Sequence, residues 1–174
     1  MINRQPKDFR ILAIAPSTSG FGFAVLEEQE ALVDWGTRIV NGDKNAKSVA
    51  KVEGLIAQYQ PDALVLPDVW AKNSRRSPRI KELLGAIIDL AKARKLKVAL
   101  FSPERVKRHL LVGGQGTKHA LAESVAQRFE AELGSCLPPK RSLWKSEARR
   151  MNIFEAVALA LALRLKTTKS IAKH

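Results

Sequence analysis

The side chains of this chain are suited first of all to holding phosphate. Lys and Arg number 30 against 17 Asp and Glu in 174 residues, a formal net charge of +13. A field of that sign concentrates polyanions at the surface and speeds their capture. The charges are also clustered. Arg75, Arg76, Arg79 and Lys81 gather where a helix is expected to begin, a place where cations oppose the helix dipole. Lys140, Arg141, Lys145, Arg149 and Arg150 flank the start of the last expected helix, and Lys107 and Arg108 lie on an earlier one. Such groups are sufficient for sequence-independent contact with a nucleic-acid backbone. Trp70 and Trp144 stand near Lys or Arg, and an aromatic beside a cation suits the stacking of unpaired bases. Core packing or a contact between two copies would use either tryptophan equally well, while Trp35 and Phe154 read as core.

Other chemistries are excluded. Cys136 is the only cysteine, so neither an internal disulfide nor a cysteine-built zinc site can form. The three histidines are scattered; His119, next to Lys118, either assists a proton transfer or faces solvent. Gly113, Gly114 and Gly116 are followed by no Gly-Lys-Ser/Thr, so they make no P-loop. Met1 to Arg10 lacks the apolar stretch of a signal peptide, and Ala156 to Leu163 is too short to cross a bilayer. The expectation is a cytoplasmic bacterial protein with no membrane partner.

The elements that must carry these groups read as follows. Arg10–Ala15, Phe21–Leu26 and Ala31–Val40 are strands whose connections are too short for crossovers, hence an antiparallel meander. Val49, Val52, Leu55, Ile56 and Tyr59 then recur at helical spacing, before a short buried strand at Ala63–Leu66. Ser77 and Pro78 are a cap and first residue for a helix with Ile80, Leu83, Leu84, Ile87 and Ile88 on one stripe. Lys97–Phe101 is a fifth strand, Ser102-Pro103 opens a helix to about Leu111, and Thr117 caps another bearing Leu121, Val125 and Phe129. Residues 137–147 lack periodicity and read as an exposed loop. The last helix is expected over about Ala148 to Leu165, with a basic tail from 166 to 174. The length and the apolar fraction of 45% fit one α/β domain with a proper core.

Four segments, in order, carry a resemblance. Ile11 to Leu26 contains Ala-Pro-Ser where a first motif would have Asp-Pro-Gly, then a glycine-containing second strand. Ala71-Lys-Asn73 follows the fourth strand. Ser102-Pro-Glu-Arg-Val-Lys107 and Gly114-Gln-Gly-Thr-Lys118 come next, and Met151-Asn-Ile-Phe-Glu-Ala-Val-Ala-Leu-Ala160 closes the set. Together they resemble the RuvC branch of the ribonuclease H-like nucleases, the Holliday-junction resolvases, over residues 10 to 165. The resemblance implies a mixed five-stranded sheet with helices on both faces, metal-dependent endonuclease chemistry with Mg or Mn, a branched-DNA substrate and a homodimer. It places Lys118 at a phosphate, and Trp70 in the region of an aromatic that stacks at the junction.

That chemistry uses two divalent cations roughly 4 Å apart to clamp the attacking and leaving oxygens at one phosphate, held by hard carboxylate oxygens. The resemblance implies four acids: one on the first strand, one after the fourth, two on the last helix. Here Ala15 stands at the first. The second falls on Leu66, Pro67 or Asp68, of which only Asp68 is a carboxylate and metal candidate. Asn152 and Glu155 stand at the last two, three apart and on one helix face. The expectation is therefore a binding protein for branched DNA whose nuclease activity is lost or weak, with Asp68, Asn152 and Glu155 as remnant catalytic positions. Arg75, Arg76, Lys107, Lys118, Lys140, Arg141, Arg149 and Trp70 are the expected nucleic-acid contacts. Two rivals are an active endonuclease with a repositioned metal site recruiting Asp8, Asp68 or Glu123, and an RNA-binding or RNA-processing factor. Actin-like ATPases share the fold but need two such domains.

Overall fold

The computed structural model of the chain describes residues 9–27, 31–72, 74–140 and 148–171, without the side chains of 168–171. Five strands, β1 (Arg10–Ser17), β2 (Gly20–Glu27), β3 (Leu32–Ile39), β4 (Ala63–Pro67) and β5 (Lys97–Phe101), form one sheet in the order β3-β2-β1-β4-β5. The first three are the expected antiparallel meander, while β4 pairs with β1 and β5 with β4 in parallel. Two crossover helices, α1 (Lys44–Tyr59) and α2 (Pro78–Ala93), supply the parallel connections, and a parallel pair requires such crossovers. The mixed five-stranded sheet with helices on both faces is thus as expected.

Period-two alternation divides the strand residues between two cores. Leu12, Ile14, Leu64 and Leu66 pack with Val52, Leu55, Leu83 and Ile87 of α1 and α2. Ile11, Ala13, Ala15 and Val65 pack on the opposite face, against α6 (Met151–Ile171) and its neighbours α3 (Pro103–Leu110), α4 (Lys118–Arg128) and α5 (Glu130–Leu133). Because both faces are covered, the central strands read as unbroken apolar runs.

The α6 face is built from small residues. Ala13, Ala15 and Ala24 of the sheet meet Ala156, Ala158, Ala160 and Ala162 of the helix in one buried cluster. The tightest point is Gly22: a Cβ there would lie 2.3 Å from the Asn152 carbonyl oxygen and 2.4 Å from its carbonyl carbon. Gly22 pairs across the sheet with Ala15, so the helix backbone presses onto the sheet beside the first-motif position. That contact holds the start of α6 in place.

The expected caps hold. Ser77, Ser102 and Thr117 accept from the backbone N–H of Ile80, Arg105 and Ala120, and Pro78 and Pro103 occupy the first helical positions. Three local expectations are revised. The last helix starts at Met151 rather than Ala148 and continues past Leu165 to Ile171, so the expected tail begins as helix. Phe129 ends α4 rather than lying within it, and the separate α5 follows. Trp35 is half-buried, packed against the edge of the core rather than in it.

Candidate functional site

β1, β4 and β5 run parallel, so their carboxyl ends open on one edge of the sheet, the usual place for ligands in open α/β sheets. The start of α6 lies over this edge. Four positions were expected to meet here. Ala15 is fully buried against α6. Of the three candidates for the second acid, Leu66 faces α1 and α2, whereas buried Pro67 lines a cavity with Phe154, Glu155 and Ala158 of α6. The residue facing α6 at the end of β4 is therefore a proline, whose side chain has no donor atom for a metal. Asp68 lies just beyond the strand, and its carboxylate accepts the backbone N–H of Trp70 at 3.1 Å, closing a local turn. It shares a second cavity, of about 520 Å³, with Arg75, Arg76, Ser102, Glu104 and Glu155. Asn152 packs its backbone on Gly22.

At the centre of this edge is Arg76. One of its terminal nitrogens donates to the Pro16 carbonyl at 3.3 Å and another to Glu155 Oε1 at 3.1 Å. The guanidinium thus spans the residue after Ala15 and the sole carboxylate left on the α6 side of the motif set. Two further cations grip the same turn. Arg79 donates to the Ser17 carbonyl at 3.1 Å and to Asn45 Oδ1 at 3.0 Å, while Lys44 donates to the Thr18 carbonyl at 2.7 Å. Three consecutive carbonyls are each held by a different cation, from α1, from the segment before α2 and from α2 itself. Neutral carbonyls orient these groups without cancelling their charge, and among the described residues Arg79 and Lys44 pair with no carboxylate. Such a surface is prepared for phosphate.

The other expected contacts divide. Lys107 and Lys118 line the same cavity as Arg76 and Glu155. Arg75, Lys140, Arg149 and Trp70 are exposed, Trp70 at 47%. Arg141, Lys145 and Trp144 lie outside the described residues, as does Asp8. Glu123 is joined to His119 Nδ1 at 2.9 Å, and the other ring nitrogen of His119 contacts the Pro138 carbonyl at 3.1 Å. This half-buried histidine ties α4 to the following loop and does not face Arg76 or Glu155's cavity. Sequence reasoning missed Lys44 and its link to the turn, for which no spacing signal exists. It left Pro67 open, although counting alternate residues from Val65 would have selected it.

This donor set does not fit a pair of divalent cations. Ala15 and Pro67 offer no side-chain ligand atom and Asn152 only a neutral amide. Asp68 lies beyond the strand with its carboxylate on the Trp70 N–H, and the Glu155 carboxylate is engaged by a guanidinium. Among the described residues no group of three or more His, Cys, Asp or Glu is arranged to hold a metal ion. Nor is any helix among them long and apolar enough to cross a membrane.

The sheet order and the helices on both faces are those of the ribonuclease H-like α/β fold. Within that class the fold is RuvC-like. No family model matches the chain. It is 28% identical over 167 residues to the crossover junction endodeoxyribonuclease RuvC of Trichlorobacter lovleyi, covering 87% of this chain and 83% of the relative. It is 26% identical over 132 residues to the RuvC of Myxococcus xanthus, covering 71% and 69%. The solved structure of Thermus thermophilus RuvC superposes with a TM-score of 0.69 at 17% identity, covering 92% of this chain and 96% of that one. The same protein in complex with a Holliday junction substrate gives 0.67 at 15% identity, covering 93% and 96%.

Proposed function

We propose that this protein binds branched DNA through its phosphate backbone and has lost metal-dependent cleavage. The observation that carries the reading is Arg76, which joins the Pro16 carbonyl to Glu155 and lines one cavity with Pro67. Two divalent ions side by side repel strongly and are held only by anionic oxygens. A guanidinium needs no such cage, and it offers planar paired donors that match a phosphate. Arg76, Lys107 and Lys118 around one cavity, with Arg79 and Lys44 holding the adjoining turn, would bind the DNA backbone. The similarity to crossover junction endodeoxyribonucleases and to a RuvC–junction complex supports DNA as the polymer and a four-way junction as its shape. On this reading residues 10–165 form the binding domain and two copies act together, as a two-fold junction invites.

The test is incubation of the full chain with a synthetic four-way junction at fixed salt, in Mg²⁺, in Mn²⁺ and in EDTA. Binding that is equal in all three, with no product, is the expected result. Metal-dependent cleavage that disappears on Glu155→Ala would refute the reading. It would point instead to a repositioned site, for which Asp68, Glu104 and Glu155 around one cavity are the available acids. Competition by duplex DNA and by structured RNA separates the RNA-binding alternative: RNA displacing the junction at equal concentration overturns the assignment to DNA.

A further inference from the structure

Beside Glu155 a cavity of about 210 Å³ opens between the ends of β4 and β5 and helices α3, α4 and α6. Its wall is apolar, with Phe101, Val106, Leu121, Ala122, Phe154 and Leu159 as principal residues, and its polar groups are the cations Arg76, Lys107 and Lys118 together with Glu155. Three cationic side chains and one carboxylate thus line it, with Arg76 joined to Glu155. An apolar hollow rimmed by cations selects a molecule with an apolar body and an anionic handle. The volume lies below the range of pockets for drug-sized ligands, which restricts the body to about one ring system.

We propose that this cavity seats a single unpaired nucleobase while Arg76, Lys107 and Lys118 hold the phosphate of the same nucleotide. The proposal rests on the DNA-binding reading above and adds the source of its structural selectivity. A nucleobase has apolar faces that suit a wall of Phe, Leu and Val, and it gains by stacking whatever its identity. Its polar edge loses hydrogen bonds against an apolar wall, a cost that the charged side chains lining the cavity offset where they reach that edge. Extracting a base from an intact duplex breaks its pair and its stacking, a penalty that is least for a base already unpaired. A protein that rewards a seated base therefore prefers branched or distorted DNA over duplex, with no sequence reading and no cleavage.

The experiment uses the full chain and two four-way junctions that differ at one unpaired nucleotide at the crossover. One carries 2-aminopurine there, the other an abasic residue with the same phosphate. Wild-type protein is expected to bind the base-bearing junction about tenfold more tightly, with the same salt dependence, since the phosphate count is unchanged. The 2-aminopurine emission should change on binding as its stacking partners are exchanged. Leu121→Trp, which fills the cavity from its half-buried rim, should erase the difference between the two substrates. Equal affinities with unaltered emission would overturn the base seat while leaving backbone binding intact. No binding to either junction at low salt would instead sink the DNA-binding reading, and the base seat with it. The wild-type comparison stands even if the tryptophan variant does not fold.

Discussion

Replacing Ala15 with Asp restores the acid that the first motif would carry, and the structure predicts that it harms the protein without reviving metal binding. Ala15 is 0% exposed, lies in the small-residue cluster under α6, and pairs with Gly22, where helix and sheet backbones already touch. Two effects add. The larger side chain must displace well-packed neighbours, at about 1–3 kcal/mol. The buried carboxyl has no partner waiting for it, which adds about 1–3 kcal/mol or more when charged. Arg76 reaches the Pro16 carbonyl next door, but turning it to the new acid would strip Glu155 of its partner. A total of about 2–6 kcal/mol lowers the melting temperature of a domain this size by about 4–24 °C, at about 2–4 °C per kcal/mol. Burial raises the pKa of the introduced acid above its unfolded value, so the deficit should deepen as the pH rises through the carboxylate range. The assay is thermal unfolding of Ala15→Asp and wild type, each with EDTA and with Mn²⁺. A variant that melts within two or three degrees (about 1 kcal/mol) of wild type and is then stabilised by Mn²⁺, as a native-state ligand must do, would refute the view that this position is packed core.

Gly22→Ala drives a methyl group into the Asn152 backbone; it should destabilise the fold by about 1–3 kcal/mol or more, read from urea midpoints. Lys44→Ala with Arg79→Ala removes two cations from the 16–18 turn. If each meets a phosphate, the slope of log K against log salt for junction binding falls by about 1.8, and an unchanged slope would remove both from the interface. Tyr59 donates to the Asp34 carboxylate; burial foremost, then this hydrogen bond and the carboxylate's charge, raise its pKa from 10.0 to about 12. A raised folded pKa gives stability that is complete below the unfolded value and fades as the pH climbs through about 10 to 12. Tyr59→Phe should therefore flatten part of the alkaline fall in melting temperature over that window, and identical alkaline limbs would contradict the raised pKa.

Much of this protein is written in local patterns. The short links of the meander, the helical spacing of the crossover segments, and the Ser77, Ser102 and Thr117 caps are set by residues within a few positions of one another. They therefore survive translation from sequence to fold. The loss of carboxylate ligands is equally a matter of residue type, since no folding can give the Ala15 side chain an oxygen. The tertiary structure alone decided what replaced them. Strand alternation already sets Pro67 on the same face as Val65, but that α6 covers this face follows only from the assembled sheet. The guanidinium at the centre of the site is joined to groups 60 and 79 positions away, and Lys44 reaches a turn 26 positions before it. Contacts over such separations leave no periodicity behind; they exist only once the sheet and its helices have closed around them.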